Sequence, residues 1–146
     1  MGFIHKKSVS QELAQKMIAE AIDRAEQIGI SVNVAVVDDG GHLTAFSRMD
    51  RAAILSIDIS INKAYTAAAF GIPTHEWYEL INNHEALKTG IVHTERLIVF
   101  GGGYPIRNGN HLAGGIGVSG GTEEEDQQCC QAALKLLEST AMKGEL

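Results

Sequence analysis

Asp38-Asp39-Gly40-Gly41-His42 brings two carboxylates and an imidazole together within five residues. Such groups can act as general acid and base, or as one corner of a metal site. The same residues also make an ordinary solvated turn, because Asp and Gly accept tight-turn dihedrals, and both readings stand. Lys63 adds a cation in Asn62-Lys63-Ala64-Tyr65-Thr66. A lysine among polar neighbours is ordinarily solvated and otherwise binds a carboxylate or another anion. With Asp38 and His42 it would form an acid–base set for a small oxygenated metabolite. His84, His93 and Glu95 are metal-type donors but lack His-x-x-x-His or Cys-x-x-Cys spacing, so no metal is expected. Adjacent Cys129 and Cys130 would form a strained disulfide and are read as reduced packing residues on a helix. Gly117, Ser119 and Gly121 match a nucleophile-elbow spacing, but a hairpin precedes them instead of a parallel strand, and no nucleophile is assigned.

The elements that must position these groups follow from periodicity and turn chemistry. Ser8 with Gln11 reads as a capping box, and Ala14, Met17, Ile18, Ala21, Ile22, Ala25 and Ile28 then recur at helical spacing up to Gly29. A helix is predicted from Ser10 to Ile28. Val32, Val34 and Val36 alternate into the Asp38–Gly41 turn, and His42–Met49 returns, which makes a β-hairpin. From Ala52 to Phe70 an alternating isoleucine pattern competes with an alanine-rich run that stops at Gly71 and Pro73; the stop signals favour a helix. Its apolar stripe is predicted as Ile54, Ile57, Ile61, Ala64, Tyr65 and Ala68, with Lys63 apart from it. Thr74 is placed as the cap of a short helix to Ile81, anchored by Trp77, and Asn82–Glu85 as a loop.

Leu97–Phe100 is an apolar run of strand length that leads into Gly101-Gly102-Gly103-Tyr104-Pro105. Seven glycines lie from Gly101 to Gly117, interleaved with Ile106, Leu112 and Ile116. They serve either turns and close packing or the close approach of a ligand or a neighbouring subunit. Asn108-Gly109 predicts a type I′ turn joining Tyr104–Arg107 to His111–Val118. Thr122 with Glu125 is a capping box, and a last amphipathic helix runs from there to about Lys143-Gly144. The hairpin-length connections imply an antiparallel sheet of five strands covered by helices, a single α+β domain over residues 1–146.

Composition excludes some functions. A formal charge of -6 and a pI near 5.4 argue against nucleic acid as a partner, since phosphate neutralisation needs a surplus of Lys and Arg. No apolar run reaches membrane-spanning length, and Met1–Lys7 lacks the apolar core of a secretory signal. A cytoplasmic protein is the expectation.

Three blocks together resemble the GlcG/HbpS-like family, also found as the C-terminal domain of PduO-type proteins. They are Val34-Ala35-Val36-Val37-Asp38-Asp39-Gly40-Gly41-His42-Leu43, Asn62-Lys63-Ala64-Tyr65-Thr66-Ala67-Ala68, and Gly101-Gly102-Gly103-Tyr104-Pro105 with Gly114-Gly115-Ile116-Gly117-Val118-Ser119-Gly120. Asp39 departs from the alanine or threonine common there. The resemblance implies a profilin-like domain with a five-stranded antiparallel sheet, assembled as a homo-oligomer. It also implies haem or corrinoid binding, with haem degradation in some members. The expected function is therefore binding of a small-molecule ligand, a haem or corrinoid tetrapyrrole, as an accessory in cofactor or metabolite handling. Candidate ligand-binding residues are Asp38, Gly41, His42, Lys63, Tyr65, Thr66, Gly102, Gly103, Tyr104 and Gly117. The alternatives are an enzyme using Lys63, Asp38 and His42, and a non-catalytic oligomeric assembly or regulatory subunit.

Overall fold

The computed structural model describes residues 2–142, with side chains through Ser139. In chain order the elements are α1 (Gln11–Ile28), β1 (Asn33–Asp38), β2 (Leu43–Arg48), α2 (Leu55–Phe70), a 3-10 turn (Thr74–Glu76), α3 (Trp77–Ile81), α4 (Glu85–Ile91), β3 (Gly103–Asn108), β4 (His111–Ser119) and α5 (Glu123–Met142). The sheet is antiparallel in the order β2-β1-β4-β3. Alternation along β1 assigns its two faces. Val34 and Val36 join Met17 and Ala21 of α1 and Cys129, Cys130 and Ala133 of α5 in the main core. Ala35 and Val37 face Ala64 and Ala68 of α2. The central strand thus reads as a continuous apolar run because helices cover both of its sides.

Helix α1 matches its predicted span, and Gly29 ends it in the left-handed region at φ 78°. The cap differs from the expectation: Ser10 Oγ accepts from the Leu13 amide at 3.1 Å, while Ser8 Oγ accepts from the Asp39 amide at 3.2 Å and steadies the β1–β2 turn. The Thr122–Glu125 capping box of α5 is present, with the Glu125 amide donating to Thr122 Oγ1 and the Thr122 amide to Glu125 Oε1. The predicted helix end at Lys143-Gly144 lies outside the described residues.

The sheet has four strands, not five. Leu97–Phe100 runs half-buried beside α2 without joining the sheet. The Thr66 hydroxyl takes backbone bonds here, donating to Arg96 O and accepting from the Ile98 amide, both at 3.0 Å, while the Leu97 amide donates to the Thr94 carbonyl. The β3–β4 hairpin is as expected, but its turn lies one residue further on. Asn108 pairs with His111, so Gly109 and Asn110 form the loop, and Gly109 alone has positive φ. That pattern suits a II′ turn, which needs glycine only at the first central position. The short helix α4 replaces part of the expected loop, and Thr74 Oγ1 accepts from the Gly103 amide at 2.9 Å rather than capping α3.

Helix α2 is present, and Ala64 and Ala68 of the predicted stripe are buried, but none of its isoleucines is. Ile54 and Leu55 are 73% and 76% exposed, whereas Ser56, Ser60, Lys63, Ala64 and Ala67 are buried. The reason is the neighbour. A Cβ at Gly115 would overlap the Ala64 carbonyl, and one at Gly117 would overlap the Ser60 carbonyl. Glycines thin β4 so that the α2 backbone can lie directly on it, and only small residues of α2 fit there. The close approach allowed by these glycines is therefore made by a helix of the same chain.

Candidate functional site

The candidate residues separate into two groups on opposite sides of α2, as Lys63 and Tyr65 must when two positions apart on a helix. The first group is built on the β1–β2 turn. Asp38 Oδ1 accepts from the amides of Gly40 and His42, each at 2.9 Å, and lies 3.3 Å from His42 Nδ1. Burial works against the charged form of Asp38, but these two amides and the His42 ring outweigh it and hold the pKa below its ordinary value. The His42 side chain is 82% exposed. Because its Nδ1 edge faces the carboxylate, the Nε2 edge points away from it. Gly41, at φ 83°, lies against Tyr65; a Cβ would sit 2.9 Å from Tyr65 Cδ2.

Arg96, absent from the expected set, stacks 3.8 Å from the Tyr65 ring centroid. Its Nε donates to Asn62 Oδ1 at 3.1 Å, and its backbone is left-handed at φ 68°. A non-glycine residue keeps that conformation only where its surroundings fix it, here Asn62, Tyr65 and the Thr66 hydroxyl. Nothing in sequence spacing marks Arg96. Thr66 is buried and has both hydrogen-bonding functions of its hydroxyl engaged by the Arg96–Ile98 segment. Behind Tyr65, between α2, α3 and the segment after α4, is a cavity of about 250 Å3. Another groove, of about 420 Å3, lies between Lys7–Ser10, α1 and β3; it contains none of the candidate residues and no histidine or tyrosine.

The second group is a closed joint. Lys63 is 1% exposed; its Nζ donates to Asp126 Oδ2 at 3.0 Å and to the Val118 carbonyl at 2.9 Å, and lies 5.3 Å from the Phe100 ring centroid. This corrects the expectation of a solvated lysine: the carboxylate-binding alternative holds. Asp126, also missing from the expected set, accepts from the Gly121 amide through Oδ1. Burial raises its pKa, and Lys63 opposes that rise without cancelling it. A Cβ at Gly102 would lie 2.6 Å from Lys63 Nζ, and one at Gly103 2.5 Å from the Lys63 carbonyl. Gly102, Gly103 and Gly117 are thus occupied by the protein itself. Lys63 shares no hydrogen bond with Asp38 or His42, so the three-residue acid–base set is not assembled.

Tyr104 stands apart from both groups. Its ring centroid is 5.6 Å from that of His75, its hydroxyl accepts from Gln131 Nε2, and burial raises its pKa. Both cysteines are free and buried; burial pushes the Cys129 thiol up to about 11 and raises that of Cys130 further, as packing residues require. Ser119 is buried at the end of β4, which removes it as a nucleophile.

The lowered pKa of Asp38 fixes a pH dependence. An acid whose folded pKa lies below its unfolded value stabilises the fold above the unfolded value, and that contribution is lost as pH falls through the folded one. Asp38→Asn should therefore lower the urea midpoint at pH 6, and its deficit relative to wild type should shrink steadily below about pH 4. A deficit that stays constant down to pH 2.5 would show that the carboxylate's charge does not hold this turn.

The comparisons with known proteins agree with this architecture. The family model described as haem degrading protein HbpS-like matches residues 9–135. Protein GlcG of Escherichia coli K12 is 39% identical over 114 residues, covering 78% of this chain and 83% of that protein. Corrinoid adenosyltransferase PduO of Salmonella typhimurium is 36% identical over 115 residues, covering 78% of this chain but only 34% of PduO, so the chain spans about a third of that relative. Among solved structures, the PduOC:haem complex superposes with a TM-score of 0.81 at 30% identity, covering 88% of this chain and 94% of that one. On the match to its model and on these relatives, the chain belongs to the HbpS-like family.

Proposed function

We propose that this chain is a haem-binding protein and that the open face around His42 is where haem is held. The observation that carries the reading is the likeness to a structure solved as a haem complex, at 30% identity over most of both chains. The chemistry of the face supports it. A haem iron takes an axial imidazole, and an axial histidine commonly has its other nitrogen held by a carboxylate or carbonyl. His42 has that arrangement, with Nδ1 against Asp38 and the rest of the ring exposed. Arg96 supplies a cation on the same side of α2, beside Tyr65, for a propionate. The cavity behind Tyr65, about 250 Å3, is below the roughly 300–1,000 Å3 of pockets for drug-sized ligands, and the groove of about 420 Å3 beside α1 offers no histidine or tyrosine. Haem would therefore lie on the surface or between two copies. The exposed Ile54 and Leu55 support self-association.

The test is a visible absorbance titration of tag-free protein with haemin, with cobalamin titrated in parallel. Haemin should give a saturable shifted band, with the haem-to-chain ratio read at saturation. His42→Ala should weaken binding about tenfold or more, through loss of the axial bond. Saturation with cobalamin alone would transfer the reading to a corrinoid. An unchanged haemin affinity in His42→Ala would remove His42 as the donor.

A further inference from the structure

We propose that residues 2–7 form an arm that docks on a second copy of this chain, with Phe3 entering that copy's cavity behind Tyr65 and Ile4 covering its mouth. Val9 fixes the base of the arm: its side chain is buried, and its amide donates to the Ala113 carbonyl at 2.9 Å. Every residue from Gly2 to Lys7 is exposed. Phe3 and Ile4, at 95% and 80%, are the two most exposed large apolar side chains among the described residues. A single apolar side chain on a surface is ordinary, but two adjacent ones held clear of the fold mark a contact with something else.

Size and charge select the arm as the occupant. The lining is apolar and largely aromatic, with Tyr65, Phe70, Trp77 and Leu97 on it. Its volume of about 250 Å3 exceeds the roughly 150 Å3 that accepts benzene in an engineered apolar cavity, so one phenyl ring fits. The arm carries Lys6 and Lys7 and no carboxylate. The lining carries Glu95, and the flanking helices α3 and α4 carry exposed Glu79 and Glu85 against one lysine, Lys88, which faces Tyr78 and Asn82. Arg96, next to Glu95, is turned onto Tyr65 and Asn62. Lys6 is three residues from Phe3, at most about 10 Å along the chain, which is the range of an exposed charge at moderate salt. Its pair with Asp39 is loose, at 3.9 Å. The next most exposed apolar residues, Ile54 and Leu55, lie near Asp58 and bring the wrong sign of charge to an acidic rim. Each copy gives an arm and receives one, so the exchange closes as a two-fold pair. The inference does not depend on haem.

Cysteine cross-linking between two full-length variants tests the contact. Thr94 is an exposed residue of the lining, and the native Cys129 and Cys130 are buried and do not compete. Phe3→Cys and Thr94→Cys chains, mixed in equal amounts with oxidised glutathione, should give a disulfide-linked heterodimer. Phe3→Cys mixed with Lys135→Cys, an exposed position of α5, should give little. In sedimentation velocity, Phe3→Ala should raise the dissociation constant for self-association about tenfold or more. Ala69→Phe, which fills the cavity from an exposed position of α2, should do the same. A Thr94 link no more abundant than the Lys135 link would overturn the proposal, and so would unchanged self-association in Phe3→Ala. A Phe3→Cys/Thr94→Cys double variant that links only within single chains would also overturn it, since the arm would then occupy its own cavity.

Discussion

Gly117→Val should abolish or nearly abolish folding, with a loss on the order of 3–5 kcal/mol, most of the margin of a small domain. The position pairs with Ala35 and Gly103 in the middle of the sheet, so the backbone cannot rotate the new side chain away. Its Cβ would overlap the Ser60 carbonyl and lie 2.6 Å from the Ala64 amide nitrogen. These are backbone atoms of α2, and relief requires lifting the helix from β4. Overpacking by a methylene against flexible side chains costs about 1–3 kcal/mol, and a rigid helix gives less than that. Gly109→Ala is the control. Gly109 has positive φ, but a Cβ there meets nothing within 4 Å, so the cost is the backbone strain alone, about 1–2 kcal/mol. Urea denaturation separates the two. A Gly117→Val protein that unfolds within about 0.5 kcal/mol of wild type would show that helix–sheet contact is not what this glycine serves.

The contrast between those glycines explains how far the sequence could be read. Features specified within a few residues were legible: the α1 stripe ending at Gly29, the Asp38–His42 turn, the Thr122–Glu125 cap, and both hairpins. Features specified across the chain were not. Hydrophobic periodicity placed Ala64 and Ala68 on the buried face of α2 but put Ile54 with them and left Lys63 out, because glycine-thinned β4 rewards Ser60 over Ile54. Leu97–Phe100 has strand composition but no strand neighbour, and the Thr66 hydroxyl takes the bonds that a ladder would have supplied. The site divides in the same way. The Asp38–His42 pair was visible because the turn itself makes it; Arg96 became visible only once Tyr65, Asn62 and Thr66 were placed around it. Lys63 looked solvated because its counter-charge is 63 residues away along the chain.

That buried pair gives the second large effect. Lys63→Met keeps the volume of the side chain but leaves the Asp126 carboxylate, 2% exposed, without its cation. Removing one partner of a buried ion pair typically costs about 3–5 kcal/mol, more than the pair contributes over an apolar replacement. Lys63→Met with Asp126→Leu should therefore recover part of the loss. A residue of about 1–3 kcal/mol should remain for the Val118 carbonyl and the Gly121 amide, which lose their partners at Lys63 and Asp126. A double-mutant cycle in urea measures this non-additivity. The single variant should also respond to pH in a defined direction. Burial raises the Asp126 pKa even with Lys63 present, and without the lysine that burial is unopposed by any nearby cation of the pair. An acid with a raised folded pKa destabilises the fold fully above that value. The penalty falls as pH drops toward the unfolded value of 3.8, where both states bind the proton. The deficit of Lys63→Met should thus be largest near pH 7 and shrink on acidification, opposite to that of Asp38→Asn only in its cause. In Asp38→Asn a favourable charge is lost from the wild type, whereas in Lys63→Met an unfavourable one is neutralised in the variant. A Lys63→Met protein as stable as wild type at pH 7, or one whose deficit ignores pH, would mean that the pair does not join α2, β4 and α5.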